Sequence, residues 1–402
     1  MGKIELDHTG SGSGITLSSD GTDLLLDGTA VGGGGGADLY AAETTGSTDP
    51  TATGTLSLAI GSSANGSGTN AVAIGNGATA GTYSVGIGWN AGNTGTNNVI
   101  IGRASAGTYN QGATVVGYNA SSSGYSSNQT ALGYNSKANS GAQATALTNS
   151  YASGTDSFAA AIASNSSSYG ATGANSVAIG QFSKATGSMS FALGGYQAIA
   201  SSTAAMAFGR FATASGTFSL ALGNGGNATD TGAVSIGYQS DADGKYSMAL
   251  GFNSKASEYG KKTFASGSFA ADGDAQGGMF VLRADTTDAT ATKLTTNNST
   301  AGSTNQIIAA SDTCITFDGV ITAMQNGAQS YASWKIEGLL VNDGGTTTLV
   351  NSSTTVIENA ISWGMALSAD NTNNALAITV TGEAAHNIRW VANIRTSEVT
   401  YA

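Results

Sequence analysis

Proline is all but absent from this chain of 402 residues: Pro50 is the only one. Cysteine occurs once, as Cys314, and histidine twice, as His8 and His386. Only 10% of the residues are charged, against roughly 25% in an average soluble domain. No apolar run approaches the ~20 residues that a membrane-spanning helix needs. Each scarcity excludes something. A lone cysteine permits no internal disulfide, so the fold does not depend on an oxidising compartment. Two histidines near opposite ends mark no Ser-His-Asp or Cys-His constellation, and they are too few for a zinc site. No catalytic, cofactor-binding or metal-ligating residue is therefore assigned. Disordered chains carry more charge or proline than this and less regular apolar spacing.

What is present is glycine, 59 residues of it, and a phrase that recurs: apolar, small, apolar, Gly. Clear copies are Leu58-Ala59-Ile60-Gly61, Val72-Ala73-Ile74-Gly75, Val177-Ala178-Ile179-Gly180, Phe191-Ala192-Leu193-Gly194, Leu220-Ala221-Leu222-Gly223 and Met248-Ala249-Leu250-Gly251. Looser copies end at Gly88, Gly102, Gly117, Gly133, Gly209 and Gly237, and two more lose the glycine at Thr148 and Ala163. The closing positions are spaced by 14, 13, 14, 15, 16, 15, 15, 17, 14, 15, 14, 14 and 14 residues. A unit this short holds two short strands and two turns, but not a helix and a strand. The triplet has the period of a strand, with its larger apolar residues on one face and Ala on the other. Gly then permits a turn that a Cβ resists. The expected fold is all-β: a solenoid of stacked coils, about 65 Å long at strand spacing. Ala-filled coils leave an apolar face that needs a neighbour, and three chains around an axis close it most simply.

Ser176-Val177-Ala178-Ile179-Gly180, followed by Ala185-x-Gly187, resembles the YadA-type head repeat of trimeric autotransporter adhesins. The resemblance covers about half of the chain. It implies a left-handed parallel β-roll and a homotrimer. It does not by itself imply attachment to a bacterial outer membrane. No signal peptide is visible at the start, and the C-terminal end does not alternate like a lipid-facing barrel strand. No membrane insertion is expected.

The charge is unevenly placed. Residues 1–55 hold one basic and eight acidic residues, 56–262 hold eight and five, and 263–402 hold five and twelve. A nearly neutral shaft between acidic ends argues against nucleic-acid binding and against adsorption to anionic lipid. Residues 1–31 read as a short β segment, with Asp20-Gly21 and Asp27-Gly28 as turn signals, and serve as a candidate anchor. A flexible linker over 32–55 follows, with the Gly32–Gly36 run as a hinge. The repeats occupy 56–262 and a transition 263–277. Residues 278–402 change texture: longer alternating runs are divided by Asp343-Gly344-Gly345, Asp370-Asn371 and Gly382-Glu383. Three of the four tryptophans, Trp334, Trp363 and Trp390, lie there. These features predict an antiparallel β-sandwich knob.

The last block carries a second resemblance. Gly278-Met279-Phe280-Val281-Leu282-Arg283, Trp334-Lys335-Ile336-Glu337-Gly338 and Ile388-Arg389-Trp390-Val391 through Thr400 are similar to the terminal domain of marine phage fibre proteins, those of cyanophages especially. It implies a virion structural protein, assembled in a bacterial cytoplasm. Expected partners are two further copies, other virion proteins through 1–31, and a host cell-surface polysaccharide or protein. The most direct expectation is a tail fibre. The alternatives are a capsid-decorating fibre, a bacterial surface trimeric adhesin or a polysaccharide-cleaving spike. For the spike, the carboxylates of the repeats are Asp156, Asp230, Asp241, Asp243 and Glu258, dispersed apart from the Asp241/Asp243 pair. Asp241-Ala242-Asp243-Gly244 and Asp272-Gly273-Asp274 hold part of a Ca²⁺ ligand set, but ordinary acidic turns fit them better.

Two groups of residues are candidate receptor contacts. After the repeat glycine stands Trp89, Arg103, Tyr118, Tyr134, Arg210, Tyr238 or Phe252, and next to five of these Asn90, Asn119, Asn135, Gln239 or Asn253. Aligned coils turn these into columns along one edge. They read first as a structural ladder of rings on rings and amides on amides, and second as a sugar-stacking surface with Trp89, Tyr118, Tyr134 and Tyr238 as contacts. The other group is Asn342, Asp343, Asn371 and Asn373, in turns of the knob with inferred exposure.

Overall fold

The computed structural model describes residues 48–401, apart from 108–110, 125–126, 165, 328–329 and 362, together with four short strands nearer the N-terminus whose backbone pairing alone is described. Among the described residues the chain is all β, with no helix. It divides into two units, Met1–Ser167 and Ser168–Ala402.

The first unit begins with a meander. Strands Ile4–Leu6, Ile15–Ser19, Leu24–Leu26 and Thr29–Ala30 pair in that order, all antiparallel. The Asp-Gly turn pairs and the Gly32–Gly36 hinge lie outside the described residues. Eight coils follow, with their first strands running from Leu58–Ile60 to Phe158–Ala160. Each coil also contributes a second strand of two or three residues, such as Thr79–Ala80 or Lys137–Asn139. Like strands stack parallel and in register, so Leu58, Ala59 and Ile60 face Val72, Ala73 and Ile74.

The alternation decides what the coil encloses. The central residue of each triplet points inward and is buried, as for Ala59, Ala73, Ala131 and Ala146, while its two apolar flanks point out. The lumen is narrow, and where it takes one large side chain it gives up another. Ile100 occupies the central position of its coil, and a Cβ on Gly107 opposite would sit 2.6 Å from the Ile100 Cδ1. Some polar residues inside are hydrogen-bonded within and between coils. The Asn98 Nδ2 donates to the Asn93 Oδ1 at 3.1 Å, and the Asn98 Oδ1 accepts from the Ala113 N–H at 2.8 Å.

The second unit holds seven further coils, with first strands from Val177–Ile179 to Lys262–Ser266. Inward serines close the turns: the Ser176 and Ser190 hydroxyls donate to the carbonyls of Gly173 and Gly187, at 2.6 and 2.7 Å. The repeat pattern fades in sequence at Phe264-Ala265-Ser266, yet this strand still stacks parallel on Met248–Phe252. Its other edge pairs antiparallel with Ala275–Thr286, with Phe264 opposite Gly277 and Lys262 opposite Met279. The sheet of the coils thus runs directly into the C-terminal domain.

That domain contains the antiparallel sandwich expected from its alternating runs. Its large sheet is ordered Ala275–Thr286, Ile388–Thr400, Thr313–Gln325, Tyr331–Asp343 and Thr346–Glu358. A smaller sheet is built on Ala375–Thr381, paired with Gly364–Asp370 on one edge and with Thr292–Lys293 and Ile307–Ile308 on the other. The core between them contains Phe280, Phe317, Ile336, Ile378 and all three tryptophans. Trp390 is central: Trp334 stacks on it at 5.8 Å and Trp363 leans against it at 5.6 Å.

The coil glycines are the weakest points for substitution. Gly223 sits at φ +132°, and a Cβ there would lie 1.8 Å from the Gly237 carbonyl oxygen of the next coil. Gly223→Ala combines that clash with a backbone conformation costing about 1–3 kcal/mol, and should lower the thermal unfolding midpoint by several degrees. Gly195→Ala, with no atom within 4 Å of the new methyl, should leave the midpoint within experimental error.

Candidate interaction surfaces

The residues that flank the buried alanines form an outward apolar strip in each unit. In the first unit Val99, Ile101 and Leu132 are exposed on the outer side of their strands. In the second, Phe191, Leu193, Met206, Leu222 and Phe264 repeat the pattern, with Leu193 45% and Leu222 43% exposed. Register places them directly above one another: Leu193 faces Phe208, which faces Leu222, which faces Ile236. Aliphatic residues stacked outward along a sheet form a contiguous apolar strip of the kind that marks an interface.

The structure also assembles the expected edge column. The Arg103 guanidinium lies 4.8 Å from the Trp89 ring centre and 5.5 Å from that of Tyr118. Tyr118 and Tyr134 stack with ring centres 5.5 Å apart and planes 6° from parallel. In the second unit Tyr238 meets Phe252 edge-to-face at 5.1 Å. The amide column has a backbone cause. Asn90, Asn119, Asn135, Gln239 and Asn253 all stand at φ of 48–57°, a left-handed conformation that Asn tolerates better than most side chains. The Asn119 Nδ2 then donates to the Asn135 Oδ1 at 2.6 Å. Arg103 lies over one face of Tyr118 and Tyr134 over the other, which is the ladder arrangement. Its outer edges remain exposed at Trp89, Tyr118, Tyr134 and Tyr238.

A second aromatic column was not singled out in the sequence. Tyr169, Phe182, Tyr196 and Phe211 contact one another in succession at 5.0, 5.4 and 5.3 Å. Their separations of 13, 14 and 15 residues are the signal that identifies them, and it is masked because Phe182, Tyr196 and Phe211 stand two places after the repeat glycine and Tyr169 six places after the closing Ala163.

The four turn residues of the C-terminal domain do not share one fate. Asn342 is buried, with its Nδ2 donating to the Ala309 carbonyl at 2.8 Å, so its expected exposure does not hold. It is the penultimate residue of a strand and points into the sandwich instead of into the turn. The Asn371 Oδ1 accepts the Thr347 N–H at 2.7 Å, and the Asn373 Nδ2 donates to the Asp370 Oδ2 at 2.9 Å. Both are committed to holding their loop. Asp343 is exposed at the start of the adjacent hairpin turn.

Several acidic side chains hold the fold together. Asp241 accepts from Asn227 at 2.8 Å and Asp243 from Thr229 at 3.0 Å, each from one coil earlier. Burial raises the Asp241 carboxyl above its ordinary range, partly offset by Asn227. Asp274 turns toward the backbone N–H groups of Phe269, Ala270 and Ala271, at 2.9, 2.6 and 2.8 Å. Those are donors where a Ca²⁺ ligand set needs a cation, so Asp272-Gly273-Asp274 is a turn cap. At the junction, Glu258 and Glu398 enclose the buried Lys261 at 3.1 and 2.9 Å. Burial opposes its charge, but the two carboxylates raise the Lys261 ammonium above its ordinary value. Gln276 caps the last coil by pairing with the Lys255 backbone N–H and C=O, both at 2.9 Å. The triad had no sequence signal, because 137 residues separate Lys261 from Glu398. His386 is a surface residue 3.6 Å from Glu383, and His8 lies outside the described residues.

Asp370 anchors the loop that carries Asn371 and Asn373. Burial works against its charge, but the Lys293 ammonium at 2.7 Å and the Asn373 amide hold its pKa down at about 2, against an ordinary 3.8. A depressed carboxyl contributes stability above its unfolded pKa and loses it as pH falls through the folded value. The C-terminal domain should therefore lose stability progressively from about pH 4 to pH 2, read as tryptophan fluorescence during denaturant unfolding. Asp370→Asn should be less stable at neutral pH and flatter across that window. An unchanged pH profile in the variant would contradict the assignment.

Comparison with known proteins bears on the coils. The model of the YadA head domain repeat, as two copies, matches residues 52–78, 130–147, 171–196, 200–225, 228–254 and 242–270. No curated protein matches the chain. Among solved structures, the tailspike protein of Acinetobacter baumannii phage AM24 aligns over 87% of this chain and 67% of its own, at 8% identity and a TM-score of 0.18. That likeness is too low to bear on fold or function. The family matches fall in both units and follow the stacked triplets, and the coils there are YadA-type head repeats.

Proposed function

We propose that this chain is the subunit of a homotrimeric, adhesin-like fibre, and that the fibre is part of a phage virion, as a tail fibre. In this reading residues 1–31 attach to other virion proteins, and the opposite end meets a host cell-surface polysaccharide or protein. The outward apolar strip carries the proposal. Each outward Leu, Ile or Phe gains about 1.5–3 kcal/mol on full burial, and strand alternation keeps them on the outer side of the coil. Coverage by two further copies buries the strip at every coil, and a three-fold ring closes with no strip left over. YadA-like repeats typically form homotrimers. Support for the virion comes from the C-terminal block, whose similarity to marine phage fibre domains spans strands of the sandwich's large sheet. The same repeats also suit a bacterial surface trimeric adhesin. A capsid-decorating fibre would use the same surfaces. A polysaccharide-cleaving spike is less favoured, since Asp241 and Asp243 are hydrogen-bonded to neighbouring coils.

Purified full-length protein should adsorb to host cells without releasing reducing ends from envelope polysaccharide. Antibody raised against the chain should decorate particles at the tail. Decoration of capsids favours the capsid-decorating fibre, decoration of cells free of particles the surface adhesin, and release of reducing ends the spike. Leu193→Asp combined with Leu222→Asp places two carboxylates in the apolar strip. The double variant should dissociate to single chains and lose at least tenfold in adsorption. A variant that remains assembled would sink the trimeric reading.

A further inference from the structure

We propose that the outer face of the large C-terminal sheet is also an interface between copies of this chain, continuous with the apolar strip of the coils. The inference rests on the trimeric reading above and extends it to a domain outside the head repeats. Burial alternates strictly along the first two strands of this sheet beyond Gly277. One face packs on the tryptophan core. The other carries Met279, Val281, Val320, Met324, Val391 and Val399, all exposed in the single chain, with Val281 51% and Met324 61%.

Register shows that this face and the coil strip are one surface. Lys262 and Phe264 are the outward residues of the last coil strand, stacked on Met248 and Leu250. Across the antiparallel seam they lie opposite Met279 and Gly277, and side chains of directly opposed residues share a face. The face continues through rows such as Val281, Asn393 and Val320. Two copies that cover the coil strip up to Phe264 therefore arrive edge-on at the C-terminal sheet with nothing between.

Two details favour a copy of this chain as the occupant. Phe264 is 61% exposed and, with Gly277 and Gly278, lines an open groove of about 480 Å³ on this same face, so each copy offers an apolar side chain and a recess where the coil strip meets the sheet. Four of the charges on the face are already paired within one chain, Arg395 with Asp318 at 2.6 Å and Arg389 with Asp285 at 3.2 Å, so covering these pairs leaves them compensated. Arg283 and Lys262, on the same face, make no ion pair among the described residues.

The test measures thiol access in the full chain. In a Cys314→Ala background, Val281→Cys and, separately, Val320→Cys report on the face, and Ala289→Cys reports on an exposed loop of the same domain. The probe is fluorescein maleimide, and the mass of each variant is measured in the same sample by light scattering. At trimer mass, both face variants should react at least tenfold more slowly than Ala289→Cys, and denaturant should abolish the difference. Reaction at equal rates in a trimer overturns this inference and leaves the coil interface standing. A single-chain mass for all three variants and for the wild type overturns the trimeric reading and this inference with it. The two face variants are independent, so misfolding of one, seen as lost trimer mass in that variant alone, leaves the other to decide.

Discussion

The interior of a 14-residue coil is narrow, and most of its inward positions hold no more than a methyl or a hydroxymethyl group. Most other features follow from that limit. Ala, Ser and Gly fill most of the lumen, Val115 and Ile162 are among the larger residues it admits, and Ile100 fits opposite Gly107. The Val, Ile, Leu and Phe that an ordinary domain would bury are displaced to the outside of the strand. A coil of this kind gains its backbone hydrogen bonds from the coils beside it but has too little apolar burial of its own. In the trimeric reading, the missing hydrophobic stabilisation comes from the outward apolar strip.

The repeat was legible in the sequence because this size limit writes itself into every copy. The same alternation gave the all-β class and the outward strip. Other features were legible only in part. The Asn and Gln beside the aromatic column have a sequence pattern compatible with sugar binding. Their positive φ gives them a simpler cause, since each turn needs a residue that tolerates the left-handed region. Asn342 sits next to a turn signal, which points it outward by sequence, but strand alternation carries it inward. The Glu258–Lys261–Glu398 triad was invisible for a different reason. Its partners come from the last coil and the last strand, and no local pattern ties residues so far apart in sequence.

The seam at Lys262–Ser266 gives the C-terminal domain its place in the account. It starts as one more coil strand and ends as the neighbour of a long antiparallel sheet, with the buried triad and Gln276 covering the edge that the last coil would otherwise expose. An uncovered sheet edge invites pairing with other chains. If the outer sheet face meets other copies, the surfaces left open to other contacts are the loops and the outer edges of the coil columns. Asp343 and the ring edges of Trp89, Tyr118, Tyr134 and Tyr238 are in that set.

The central claim is that the outward apolar strip is an interface between three copies. The most direct check is the native mass of the wild-type chain, measured by light scattering over a hundredfold dilution. The account predicts a single species at three times the 39.5 kDa chain, unchanged by dilution. A folded, soluble species at 39.5 kDa across the series would contradict it.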